Sequence, residues 1–343
     1  MGRRSGLTRL LIWVKKYWPL GPFPAVFILP FVFIFGTAML QGFISFALTV
    51  LNFYLLFQLA KKFRFSQSDA IWLAAFFIFG SVYLAVAVYS VSWYFAQVVA
   101  VTALLLALDE YFKKKRYWLI GSYLACAIAT RSNLILAVIF FGLGILGEAV
   151  DWRSKVKKLI ILFSPIAAAI LLLLIYNFLR FGNPLETGYN LQDIAPIFAT
   201  ARSYGLFTLR HIPGNLFFLL FRGPDPVRAD PGAYVLAYPY IVPNIWGMSI
   251  FFTSPLFLYL FSASWKSKIT RAAGLTSLAI LLTIITYYGI GTAQIGYRYA
   301  LDFYPFLYLI LCEALSPKLP AKAKILIVLG IILDWYFVLN FSS

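Results

Sequence analysis

Long apolar runs separated by short clusters of lysine and arginine limit this chain more than any other feature. Residues 39–60 and 159–179 contain no charged side chain, and basic clusters stand next to both. About 20 apolar residues in a helix cross a ~30 Å hydrocarbon core. Of the 343 residues, 62% are hydrophobic and 12% are charged, where soluble domains carry roughly 25% charged residues. The polar surface is too small to cover a water-soluble body. The reading is an all-α, polytopic transmembrane helix bundle. It holds about nine to eleven membrane segments, several short or re-entrant, in one membrane-embedded domain over 1–343.

Further runs that read as spans are 70–88, 93–108, 245–263, 272–290, 299–315 and 325–341. Residues 23–36 carry Pro24 and Pro30 and are short for a crossing, so they read as interfacial or re-entrant; a thin span is the alternative, and it would bring Arg3, Arg4, Arg9, Lys15 and Lys16 into line with the positive-inside rule. Residues 119–147 are interrupted by Thr130-Arg131-Ser132-Asn133 and read as two short helices with a polar tip. The net charge of +17 looks at first like a nucleic-acid signal. Its placement says otherwise. The loops after residues 60, 108, 147, 263 and 315 hold 3, 4, 4, 3 and 3 basic residues, 17 of the 29. They fall on one side of the alternation, which the positive-inside rule assigns to the cytoplasm of a bacterial-type inner membrane. Nucleic acid is thereby excluded as a partner, while anionic lipid remains one. Residues 180–244 become an external loop region.

One histidine and two cysteines, Cys126 and Cys312, are too few for a metal site built from those ligands. Gly289, Gly291 and Gly296 have the wrong spacing for a dinucleotide fingerprint and follow no strand, so no nucleotide cofactor is expected. The apolar core of the N-terminus, residues 10–14, is too short for a signal peptide.

Ionisable groups inside apolar segments are candidates for function. Arg131 lies roughly 20 Å along its helix from the interfacial Trp118, and Arg298 roughly 27 Å above the inner face. Both reach the depth of outer-leaflet phosphates, which suit guanidinium forks. The competing reading for Arg298 is an i,i+4 pair with Asp302; for Arg131 it is capping and snorkelling. Outer-segment acids that could serve as general base are Glu186, in a turn-forming run, Asp193 and Asp225; Asp225 and Asp230 flank prolines. Asp334 falls at mid-bilayer, either protonated or part of an ion path.

Several of these residues also stand in runs with a family likeness. From about Trp18 onward the chain resembles the bacterial polytopic glycosyltransferases of the GT-C fold, a group that includes dolichyl-phosphate-mannose protein mannosyltransferase-like proteins. The likeness rests on Trp18-Pro19-Leu20-Gly21-Pro22-Phe23-Pro24, on Ala129-Thr130-Arg131-Ser132-Asn133, on residues 181–189, and on Gly296-Tyr297-Arg298-Tyr299 leading into Pro305. It implies transfer of a sugar from a polyprenyl-phosphate carrier to a glycan, lipid or protein acceptor on the outer face. A divalent metal serves in many members. Arg131, Asn133, Tyr297, Arg298 and Asp302 then become the substrate-binding candidates. The family's usual acid lies in a first outer loop after a first span. Here no Asp or Glu precedes Asp69. The resemblance therefore implies a chain lacking that span and loop, which could make it an inactive relative, or one whose base has moved into 180–244. Competing expectations are an O-antigen ligase or polymerase-like membrane enzyme, and a transporter.

Overall fold

The computed structural model describes residues 20–36, 41–192, 194–230, 232 and 234–341. Trp18, Pro19 and Asp193 lie outside them. The protein is 70% helix and 6% strand. The first half is α1 (Phe23–Phe35), α2 (Gln41–Lys62), α3 (Gln67–Phe79), α4 (Tyr83–Tyr89), α5 (Ser92–Phe112), α6 (Tyr117–Thr130), a 3-10 turn over Ser132–Ala137, α7 (Val138–Leu146) and α8 (Trp152–Phe181). Local chemistry sets several of these ends. The Ser66 hydroxyl accepts from the Asp69 amide at the start of α3, and the Asp151 carboxylate accepts from the Ser154 amide at the start of α8, each satisfying a donor the helix leaves open. Gly182, at φ 72°, ends α8 in the left-handed conformation that glycine adopts without strain.

Residues 180–244 fold into short pieces: α9 (Ala199–Ser203), α10 (Ile212–Leu220) and an antiparallel hairpin of β1 (Asp225–Arg228) with β2 (Leu236–Val242). Then come β3 (Trp246–Met248), α11 (Ile250–Thr253), a 3-10 helix over Pro255–Ser262, α12 (Lys268–Ile285), β4 (Gln294–Gly296), a 3-10 turn over Arg298–Asp302, α13 (Tyr304–Leu315) and α14 (Ala321–Leu339).

Two expectations need correction. Residues 245–263 do not form a span. β3 pairs in parallel with β4, Trp246 opposite Gln294 and Met248 opposite Gly296. Pro255 has no amide proton to continue α11. The fold is therefore not all-α: two small two-stranded sheets accompany the helices. Residues 70–88 are also bent, by 59° between α3 and α4. The Ser81 hydroxyl donates to the Phe77 carbonyl at that break, 2.7 Å away.

Four helices among the described residues are long and apolar enough to cross a membrane: α2, α5, α8 and α12; the bent pair α3–α4 would make a fifth. The nine to eleven segments expected included short and re-entrant ones, and α1, α6 and α13 are apolar helices too short to cross alone. The two extremes among the four are α5 and α8. Of the most apolar window of α5, 78% is buried inside the protein; for α8 the share is 11%. Yet α8 is apolar all round, with Leu171, Leu172, Phe178 and Leu179 uncovered. Such a surface is unfavourable in water.

The short helices hold together through close approach and through ion pairs at the lysine-rich end. Gly121 of α6 lies so near α8 that a Cβ there would stand 2.2 Å from the Leu162 carbonyl oxygen. At the end of α7, Glu148 pairs with Lys158 and, at 3.0 Å, with Lys115; the Tyr117 hydroxyl donates to it from 2.7 Å. Burial raises the Glu148 carboxyl, but Lys158, Tyr117 and Lys115 outweigh it and hold it at about 2. Asp69 likewise pairs with Lys324 at 2.8 Å.

Two measurements follow from this packing. Gly121→Ala is expected to lower the thermal midpoint in detergent, at a cost of ~1–3 kcal/mol from overpacking, while Gly142→Ala, where nothing lies within 4 Å, leaves it unchanged or higher. Glu148 has a depressed folded-state value, so its contribution is complete above the ordinary 4.5 and is lost as pH falls toward 2. Glu148→Gln should flatten the stability-against-pH curve in that window.

Candidate functional site

Arg131 stands where α6 stops. Its backbone is extended, at φ −145° and ψ 108°, so the chain leaves the helix and the side chain reaches across the bundle. Arg131 Nε lies 2.6 Å from Asp302 Oδ1, and Nη2 donates to Oδ2 over 2.9 Å. The pair is a close ion contact held by one hydrogen bond, from Nη2, while Nε–H is not aligned on Oδ1. Asn133 Nδ2 adds a second hydrogen bond to Oδ2 at 2.7 Å. Asp302 is buried.

The i,i+4 pair of Arg298 with Asp302 does not form, for a geometric reason. Residues 298–302 make a 3-10 turn, and at three residues per turn positions four apart point in different directions. Arg298 is instead held by neutral groups. Its Nε donates to Gln294 Oε1 at 3.0 Å and its Nη2 to the Tyr299 hydroxyl at 3.4 Å. Its guanidinium lies over the rings of Tyr94 and Tyr299, 5.1 and 4.9 Å from their centroids. Arg131 lies over the same Tyr299 ring at 5.4 Å. The two arginines thus share one aromatic ring.

Gln294 is fixed in turn. Its Nε2 donates to the carbonyls of Trp246 and Ile290 at 2.7 and 2.8 Å, leaving Oε1 for Arg298. Gly291, at φ 90°, makes room for it: a Cβ there would lie 2.7 Å from Oε1. Arg298 is only 7% exposed, and among the described residues no carboxylate lies within ion-pair distance of it. A buried cation without a counter-ion is costly.

The cluster extends into the segment after α8. Tyr287 stands between Tyr299 and Tyr189, with ring centroids 6.5 and 6.1 Å away. Arg202 lies over Tyr288 at 4.9 Å and donates from Nη2 to the Tyr189 carbonyl at 2.6 Å. Three arginines and one carboxylate leave this neighbourhood with two excess positive charges. Beside it, the close fit of Gly21 against the carbonyls of Ala129 and Thr130 borders a cavity of about 420 Å³, lined by Pro22, Ile28, Trp93, Phe95, Tyr176 and Arg180 among others.

Of the residues singled out in the sequence, Arg131, Asn133, Arg298 and Asp302 come together. Tyr297 is fully buried, and its hydroxyl donates to Asn215 Oδ1 at 2.7 Å. Glu186 accepts from the Gly188 amide at 2.7 Å and from Asn190 at 3.0 Å. The Asn190 bond holds its carboxyl below the usual range, so it is ionised at neutral pH. Asp225 sits in the hairpin between Arg222 and Asn244. Asp230 accepts from the Gly232 amide at 3.0 Å. Among the described residues no group of three or more His, Cys, Asp and Glu could hold a metal ion. Tyr94, Gln294, Tyr299 and Arg202 were not among the candidates. Tyr299 stood within a quoted motif; for the others nothing local signals a role.

No protein-family model, curated protein or solved structure matches the chain.

Asp302→Asn removes the counter-ion of Arg131, with an expected loss of ~3–5 kcal/mol for breaking a largely buried pair. Replacing both partners, Arg131→Met with Asp302→Leu, should return most of it. Unfolding of the singles and the double in detergent measures the difference.

Proposed function

We propose that the protein is a membrane glycosyltransferase, which moves a sugar from a polyprenyl-phosphate carrier to an acceptor on the outer face of the membrane. In this reading α2, α5, α8, α12, α14 and the α3–α4 pair cross a bacterial-type inner membrane, the shorter segments 250–262 and 298–315 pass between its faces inside the protein, the basic clusters face the cytoplasm, and residues 180–244 lie outside. The observation that carries it is Arg298, a buried cation with neutral partners beside a second arginine on the same ring. An anionic group supplies what that site lacks, and a lipid phosphate at this depth fits it. Resemblance to the GT-C glycosyltransferases points to the same donor.

Chemically, the acceptor hydroxyl oxygen attacks the anomeric carbon while the bond from that carbon to the phosphate oxygen breaks. The hydroxyl proton passes to a carboxylate, and the polyprenyl phosphate leaves with the bonding electrons. The arginines stabilise the charge that grows on the leaving phosphate. Among the candidate acids, Glu186 best fits the base. It is ionised, and it lies three residues from Tyr189, whose ring packs on Tyr287 of the cluster.

One observation favours a transporter as the second reading. Asp334 is buried in α14, and neither carboxylate oxygen has a hydrogen-bond partner among the described residues. Substrate flux into liposomes that disappears in Asp334→Asn would support it.

The glycosyltransferase reading is tested with polyprenyl phosphate and the uncharged polyprenol as probes in nanodiscs. Arg298→Gln is expected to weaken phosphate binding roughly 10- to 100-fold, corresponding to ~1.5–3 kcal/mol for bonds to a charged group, and to leave polyprenol unaffected. Glu186→Gln should keep binding and lose transfer of labelled sugar. Equal binding of both probes to the wild-type protein would overturn the reading.

A further inference from the structure

The β1–β2 hairpin carries a row of uncovered tyrosines that the site described above does not use. Along β2, Leu236, Tyr238 and Tyr240 are exposed while Ala237, Pro239 and Ile241 are half-buried. Tyr238 is 77% and Tyr240 56% exposed, and Tyr234, just before the strand, reaches 95%. Val235 adds to the same patch. Tyr240 holds a positive φ of 69°, a conformation uncommon for a bulky residue and retained only where surrounding structure enforces it. An exposed strand of this composition in water is an aggregation hazard.

The hairpin's other face fixes its height. The Tyr336 hydroxyl donates to the carbonyls of Pro239 and Ile241, and Ile241 packs on the cluster of Met248, Ile295, Phe337 and Val338. Tyr336 stands in the last turn of α14, 15 residues beyond Ala321, or roughly 22 Å along the helix. Lower on the same helix, Ile325, Leu329, Ile332 and Trp335 are exposed at helical spacing, an apolar stripe that ends where the hairpin attaches. Residues 222–244 hold Arg222, Arg228, Asp225 and Asp230, two of each sign, so no net charge selects an ionic partner.

We infer that the tyrosine row of the hairpin lies in the headgroup layer of the outer leaflet and anchors the external segment to the lipid surface. Tyrosine is the side chain that favours this layer, with an apolar ring and a polar tip. The stripe on α14 continues into it, so one surface runs from hydrocarbon to headgroups. The inference rests on the membrane reading above and needs neither the donor nor the reaction.

Thiol-reactive NBD on single cysteines tests it, in a background with Cys126 and Cys312 changed to Ala. Labels go on Tyr234→Cys, Tyr238→Cys and, as reference, Ile332→Cys. The protein is reconstituted into vesicles of phosphatidylethanolamine and phosphatidylglycerol, and each variant's thermal transition reports that it is folded. The hairpin labels are expected to emit at shorter wavelength than in water and to be quenched by headgroup-level nitroxide lipids. The Ile332 label should be quenched by deep nitroxides. Hairpin labels open to iodide and untouched by nitroxide lipids, with Ile332 still quenched, would overturn the anchor and leave the membrane reading standing. Protection from iodide without lipid quenching would assign the face to a protein partner and equally overturn it. An Ile332 label that no lipid nitroxide quenches would remove the spanning assignment, and the anchor with it.

Discussion

Asp302 is the point on which the rest of the site turns. It is buried, it forms an ion pair with Arg131 and accepts a hydrogen bond from its Nη2, and it accepts a further bond from Asn133. The two segments it joins lie some 170 positions apart along the chain. A buried carboxylate is tolerated only when paired and bonded, so this residue fixes the end of α6 against the turn before α13. Tyr299, three residues earlier, is thereby set beside Arg131, and Arg298 beside Tyr299. Arg298 is left without a counter-ion because the one acid is engaged with Arg131.

The geometry gives the two arginines different work. Arg131 is neutralised and oriented by its own counter-ion. Arg298 keeps its charge, with Gln294 aimed at it by two backbone carbonyls and with two rings beneath it. Low dielectric surroundings strengthen the attraction between this cation and an anion brought beside it. Under the proposed reading, this is where the carrier phosphate would be held.

Much of the cluster was legible because charges in apolar sequence stand out. Arg131 and Arg298 were found that way, Asp302 as the expected partner of Arg298, and Asn133 through the polar motif it shares with Arg131. Their pairing was not, since the i,i+4 rule assumes α-helical geometry and the chain adopts a 3-10 turn there. Arg202 and Tyr189 arrive through the fold of the external segment, which no local pattern encodes. Hydropathy over 245–263 predicts a span, but hydropathy measures apolar content and not hydrogen bonding. The parallel pairing with 294–296 and the missing amide of Pro255 decide the outcome. The helix break at residues 131–133, by contrast, is where the polar tip was expected.

The tight turn at 298–302 makes the site sensitive to chain length in an unusual way. In a helix with three residues per turn, positions four apart differ by about 120°, and positions three apart eclipse. Deleting one residue between Arg298 and Asp302 would bring cation and acid into phase. They would neutralise each other, and Arg131 would lose its partner. The net charge of the region would stay the same, but the cation left without a counter-ion would be Arg131 at the end of α6 in place of Arg298, so the spacing decides which arginine stays open.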